Sequence, residues 1–160
     1  MADAKVKERP KKEDGERREA EFFGEIYKSA KMGADAVINL LPHIKDDALR
    51  SVVTMQLDGY EKYAARAAAA LAEMGVAAKE ENIVMRVTAR VGVAFQTMLD
   101  ATTSHVAEML IEGTNMCITD MTRLLNSNEL HRGASTGAAR LAREVVAFEE
   151  HNLEMLKRYL

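Results

Sequence analysis

This 160-residue chain has one cysteine, two prolines and no tryptophan, and its four tyrosines and four phenylalanines are its only aromatics. A lone Cys117 excludes an internal disulfide framework and a cysteine-rich zinc site. So few prolines, together with an abundance of alanine and a scarcity of aromatics, argue against β-architecture and for helices. No run approaches about 18 uninterrupted apolar residues, so no membrane-spanning segment is expected. The start, MADAKVKERPKKEDGERRE, lacks the apolar stretch of a secretory signal, and a reducing cytoplasm is the expected location. The sequence has no G-x-G-x-x-G, no P-loop, no H-E-x-x-H and no G-x-S-x-G. The net charge of −3 gives no electrostatic case for nucleic acid or for an anionic membrane.

A hydrophobic fraction of 48 % against 29 % charged residues is enough for one domain with a real core. Residues 1–20 carry seven basic and six acidic side chains, so residues 1–15 read as a flexible charged tail and 16–160 as a helical domain. The first apolar stripe is Phe22, Phe23, Ile26, Ala30, Gly33, Val37, Leu40 and Leu41, ended by Pro42. Asp46 and Asp47 supply a cap and first-turn charge for a second helix. That helix carries Leu49, Val52, Val53, Gln56, Leu57, Tyr60, Tyr63, Ala64, Ala67, Leu71 and Met74, and Gly75 stops it.

The third stretch, about 82–126, reads with Val84, Val87, Val91, Phe95, Met98, Thr102, His105, Met109, Glu112 and Met116 on one face. As one helix it would be roughly 65 Å long. A kink or break near 100–104 is therefore expected, making 82–99 an extra connecting helix. A turn is expected at 126–133. A last helix over 135–158 presents Leu141, Val145, Phe148, Asn152, Met155 and Tyr159. The fold class is all-α, an up-and-down antiparallel four-helix bundle.

Polar residues on apolar stripes carry the functional signal, because burying them unpaired costs a few kcal/mol. If the last two helices reverse near residue 130, Glu112, Glu144 and His151 meet inside the bundle, with His105 one layer further along and Glu108 beside it. Carboxylates and imidazoles converging between helices could hold iron or manganese. A histidine paired with a glutamate also satisfies its own hydrogen bonds without a metal. Glu149 and Glu150 read as a solvated face, and Cys117 as a buried or half-buried hydrophobe.

Two helix hairpins echo one another: Met32-Gly33 precedes Leu40-Leu41 and a turn, and Glu112-Gly113 precedes Leu124-Leu125 and a turn. With that echo, the helix lengths and the Ala-Phe-Glu-Glu-His-Asn-Leu-Glu run at 147–154, residues 18–160 resemble the ferritin-like superfamily. The chain is similar to bacterial relatives of rubrerythrins and DNA-starvation ferritins. Di-iron members of that superfamily place one Glu on the first and third helices and a Glu-x-x-His on the second and fourth. The resemblance puts the third-helix Glu at Glu112 and the fourth-helix His at His151, whose partner position is Phe148. The first-helix position falls near Met32, with Asp35 one turn away, and the second-helix pair falls on Gln56 and Gly59. Two of six positions match, and no Glu-x-x-His occurs in the chain. The resemblance thus implies either a bundle with a degenerate di-iron site, acting through homodimerisation or partner binding, or a metal-binding oxidoreductase or storage protein. The latter would use a non-standard site of His105, Glu108, Glu112, Glu144 and His151. A bundle binding a lipid or small ligand in a methionine-lined cavity is a third option.

Overall fold

The computed structural model describes residues 8–79, 102–132 and 136–160. Among them the chain forms four α-helices and no strand: α1 (Glu8–Leu40), α2 (Asp47–Glu73), α3 (Thr103–Arg132) and α4 (Gly137–Leu156). Single 3₁₀ turns follow α1 at Leu41–His43 and α4 at Lys157–Tyr159. None of these helices is long and apolar enough to cross a membrane.

α1 starts at Glu8, inside the stretch read from sequence as a tail. The charges there are spaced for helical pairing. Arg17 reaches Asp14 and Glu21 at 2.8 Å each, and Arg18 reaches Asp14 at 3.0 Å. The apolar stripe then buries Phe22, Phe23, Ile26, Tyr27, Ala30, Ala34, Val37 and Leu40, and the helix ends before Pro42, as a proline requires.

Both ends of α2 obey local chemistry. The Asp46 carboxylate accepts from the Leu49 backbone N–H at 2.8 Å. At the other end Gly75 takes φ +73°, letting Gly75 N–H reach Ala72 O and Val76 N–H reach Leu71 O. That pair of bonds closes the helix in a left-handed turn that glycine adopts without steric cost.

α3 begins where a break was expected. The Thr102 hydroxyl accepts from the His105 N–H at 3.2 Å, and the helix then continues through Arg132, across the turn expected at 126–133. The expected connecting helix at 82–99, with Val84, Val87, Val91, Phe95 and Met98, lies outside the described residues. The face of α3 also needs correction. Val106, Ala107, Leu110, Thr114 and Met121 are buried, whereas Thr102, His105, Glu112 and Met116 are exposed and Met109 is half-buried. Because Thr102 is a non-helical cap, a helical phase carried into α3 from the residues before it does not apply.

α4 is capped twice. Thr136 accepts from Ala139 N–H at 3.2 Å, and Glu19 on α1 accepts from Ala138 N–H at 3.1 Å. The main packed pairs are α1 with α2 and α3 with α4, and α4 also meets both α1 and α2. Two apolar clusters result. One gathers Phe22, Phe23, Ile26, Leu71, Met121 and Val145, and the other Val37, Leu49, Val53, Val106, Leu110 and Leu156.

Candidate functional site

Glu149 is completely enclosed. It belongs to a regular seam of α4, Ala138, Ala142, Val145, Glu149, Asn152 and Leu156, all buried and spaced alternately by four and three residues. That spacing keeps a single stripe of a helix facing inward. The solvated face expected at Glu149 and Glu150 is therefore wrong for Glu149, while Glu150 is exposed.

Three helices supply the groups around the carboxylate. From α2, the Tyr60 hydroxyl donates to Glu149 Oε2 at 3.0 Å, and on α4 itself Asn152 Nδ2 lies 3.3 Å from the same oxygen. From α3, Thr114 and the Cys117 thiol also interact with Glu149, and Cys117 Sγ lies 3.2 Å from Ser29 Oγ of α1. Gln56, one turn before Tyr60 on α2, is buried as well.

The four side chains that bond to Glu149 are neutral. Burial pushes its carboxyl above the ordinary range, opposed by hydrogen bonds from Cys117, Tyr60, Asn152 and Thr114. Burial likewise raises the Tyr60 phenol well above its usual value, aided by the adjacent carboxylate. The Cys117 thiol is raised by the same two causes, the opposite of what an activated thiolate requires. Two buried polar atoms meet no hydrogen-bond partner among the described residues: Gln56 Nε2 and Glu149 Oε1.

An aromatic series connects this centre to the surface. Tyr60 meets Phe148 edge-on with ring centroids 5.4 Å apart, and Phe148 meets Tyr63 at 5.3 Å. The Arg66 guanidinium lies over Tyr63 at 5.6 Å and forks onto both carboxylate oxygens of Glu144. That ion pair lowers the Glu144 carboxyl below its ordinary value. Tyr60 itself fits against α1 because residue 33 is glycine: a Cβ there would come within 2.6 Å of the ring.

The structure does not gather the five residues singled out for a metal. His105, Glu108, Glu112, Glu144 and His151 are all exposed. His105 Nδ1 and Glu108 Oε2 are 3.7 Å apart, Glu144 is held by Arg66, and the expected meeting of Glu112, Glu144 and His151 inside the bundle is absent. Helix phase explains it. At about 100° per residue, His151 points roughly 200° away from Glu149, and Glu112 the same from Thr114. Among the described residues no group of three or more His, Cys, Asp or Glu side chains could hold a metal ion. A separate open groove of about 820 Å³ lies between α1 and the end of α2, floored by Ala20, Gly24, Leu71, Met74, Val76 and Ala77.

No protein-family model, curated protein or solved structure matches this chain.

Proposed function

We propose that this chain is a ferritin-like, antiparallel four-helix bundle that does no metal chemistry and works by association, as a homodimer or as a scaffold for a partner protein. The observation that carries this reading is the make-up of the interior polar layer. It holds one carboxylate, Glu149, among the neutral side chains of Gln56, Tyr60, Thr114, Cys117 and Asn152. A di-iron centre needs several inward-facing carboxylates to offset its charge, and among the described residues Glu149 is the one buried carboxylate. It is also fully enclosed, so no substrate reaches it without opening the core.

The bundle topology draws support from the packing. Residue numbers on α2 rise as those on α4 fall across the contacts Tyr60–Glu149 and Arg66–Glu144, the pattern of two helices running in opposite directions. For association, the surface offers large apolar side chains at Ile38, Met55, Val76 and Met116, each between 40 % and 59 % exposed.

Two measurements on the full chain test the reading. Sedimentation velocity should give a mass near twice 17.7 kDa for a homodimer. Elemental analysis after anaerobic loading with Fe²⁺ and Mn²⁺ should find less than about one metal per ten chains. A near-stoichiometric metal that is lost when Glu112 and His151 are both replaced by alanine would overturn it in favour of a surface His/Glu site. A monomer that captures no partner would overturn the association.

A further inference from the structure

Gln56 and Glu149 are 2 % and 0 % exposed, and each keeps one polar atom, Nε2 and Oε1 respectively, that makes no hydrogen bond of ordinary length and angle to a described protein group. Leaving a buried donor or acceptor unpaired costs about 1–3 kcal/mol, and native interiors meet that need with a protein group or with ordered water. The two side chains lie about one helical turn apart along the seam between α2 and α4. Tyr60 pairs with Glu149; Gln56 precedes Tyr60 by one turn, and Asn152 follows Glu149 by just under one turn. Residue numbers run in opposite directions on the two helices, so Gln56 stands level with Asn152, whose own side-chain amide is committed to Glu149 Oε2.

We propose that Gln56 and Glu149 together bind one ordered water molecule between α2 and α4, which completes the hydrogen bonding of the interior layer. The water accepts from Gln56 Nε2 and shares a hydrogen bond with Glu149 Oε1. Water suits the site better than a cation does, because Gln56 Nε2 and Asn152 Nδ2 are both N–H donors and repel positive charge. Both groups are buried within the single chain, so the water does not depend on association.

The test uses the full-length protein and water-selective nuclear Overhauser spectroscopy. The Gln56 side-chain amide protons should show a cross-peak to a long-lived water, as should the Tyr60 hydroxyl proton. In Gln56→Met the water peak at Tyr60 should be lost. If that variant fails to fold, an atomic-resolution crystal structure of the unaltered protein decides the matter by showing a water within hydrogen-bond distance of both atoms. Three results overturn the proposal. One is a dry site in which the Gln56 amide has rotated onto a protein donor. Another is a water that persists unchanged in Gln56→Met. The third is stability that rises with potassium or ammonium at constant ionic strength, which would identify a cation instead.

Discussion

Tyr60 on α2 donates its hydroxyl proton to Glu149 on α4 across 3.0 Å, and both side chains are buried. Tyr60→Phe removes the donor and keeps the ring. The expected cost is about 1–2 kcal/mol by denaturant unfolding, with the T-shaped contact to Phe148 preserved. A loss below about 0.3 kcal/mol would show that the pair adds nothing to stability.

Glu149 itself separates volume from charge. Glu149→Gln retains an acceptor for Tyr60 and removes the ionisable group, so its stability at neutral pH should be equal to or above that of the natural protein. Glu149→Ala leaves a void and strips Tyr60 and Asn152 of their shared partner, at an expected cost of about 2–4 kcal/mol. Both values come from the same urea titrations.

The raised Glu149 carboxyl gives stability a definite pH slope. The unfolded chain ionises this group in the ordinary carboxylate range, and the folded chain only at higher pH. Between those two values the folded state holds the extra proton, so this contribution is fully present below the unfolded value and is lost as pH rises through the folded one. The stability difference between the natural protein and Glu149→Gln should therefore shift against the natural protein as pH rises above the ordinary carboxylate range, then level off. A difference independent of pH would show that Glu149 titrates like an exposed carboxylate.

Glycine positions should split in sign. Gly33→Ala drives a methyl group to 2.6 Å from a Tyr60 ring already held by Phe148 and Glu149. It should destabilise by about 1–3 kcal/mol despite alanine's better helix propensity. Gly113→Ala, with nothing within 4 Å of the added carbon, should stabilise by about 0.5–1 kcal/mol. Thermal unfolding of the two variants checks both signs.

The exposed His151 and Glu112 should behave as surface residues. His151→Ala and Glu112→Ala should each change stability by less than about 0.5 kcal/mol, measured by the same unfolding assay.

The helical class, the stripes of α1 and α2, the Asp46 cap and the Gly75 stop follow from local sequence, because proline, glycine and capping residues act within a few positions of themselves. The site was harder to read. Glu149 stands two residues before His151, and the alternating spacing through Ala142, Val145, Asn152 and Leu156 marks the glutamate, not the histidine, as the inward-facing residue. On α3 Thr102 is the cap and the helix starts at Thr103, so a phase counted from earlier residues misplaces its inward face. What sequence could not supply is the pairing between helices. Nothing near Tyr60 in the chain announces that its partner is a carboxylate on α4, or that residue 33 must be small to admit its ring.

The acceptor for Tyr60 lies 89 positions downstream, and Glu19 caps a helix 119 positions downstream. During synthesis, α1 and α2 emerge from the ribosome long before either partner exists. Until α4 is complete the nascent chain exposes the Gln56 and Tyr60 polar groups on an otherwise apolar face, so the amino-terminal half has no finished core of its own. Folding to the native state waits for the last helix, and chains that terminate early should be targets for chaperones and proteases.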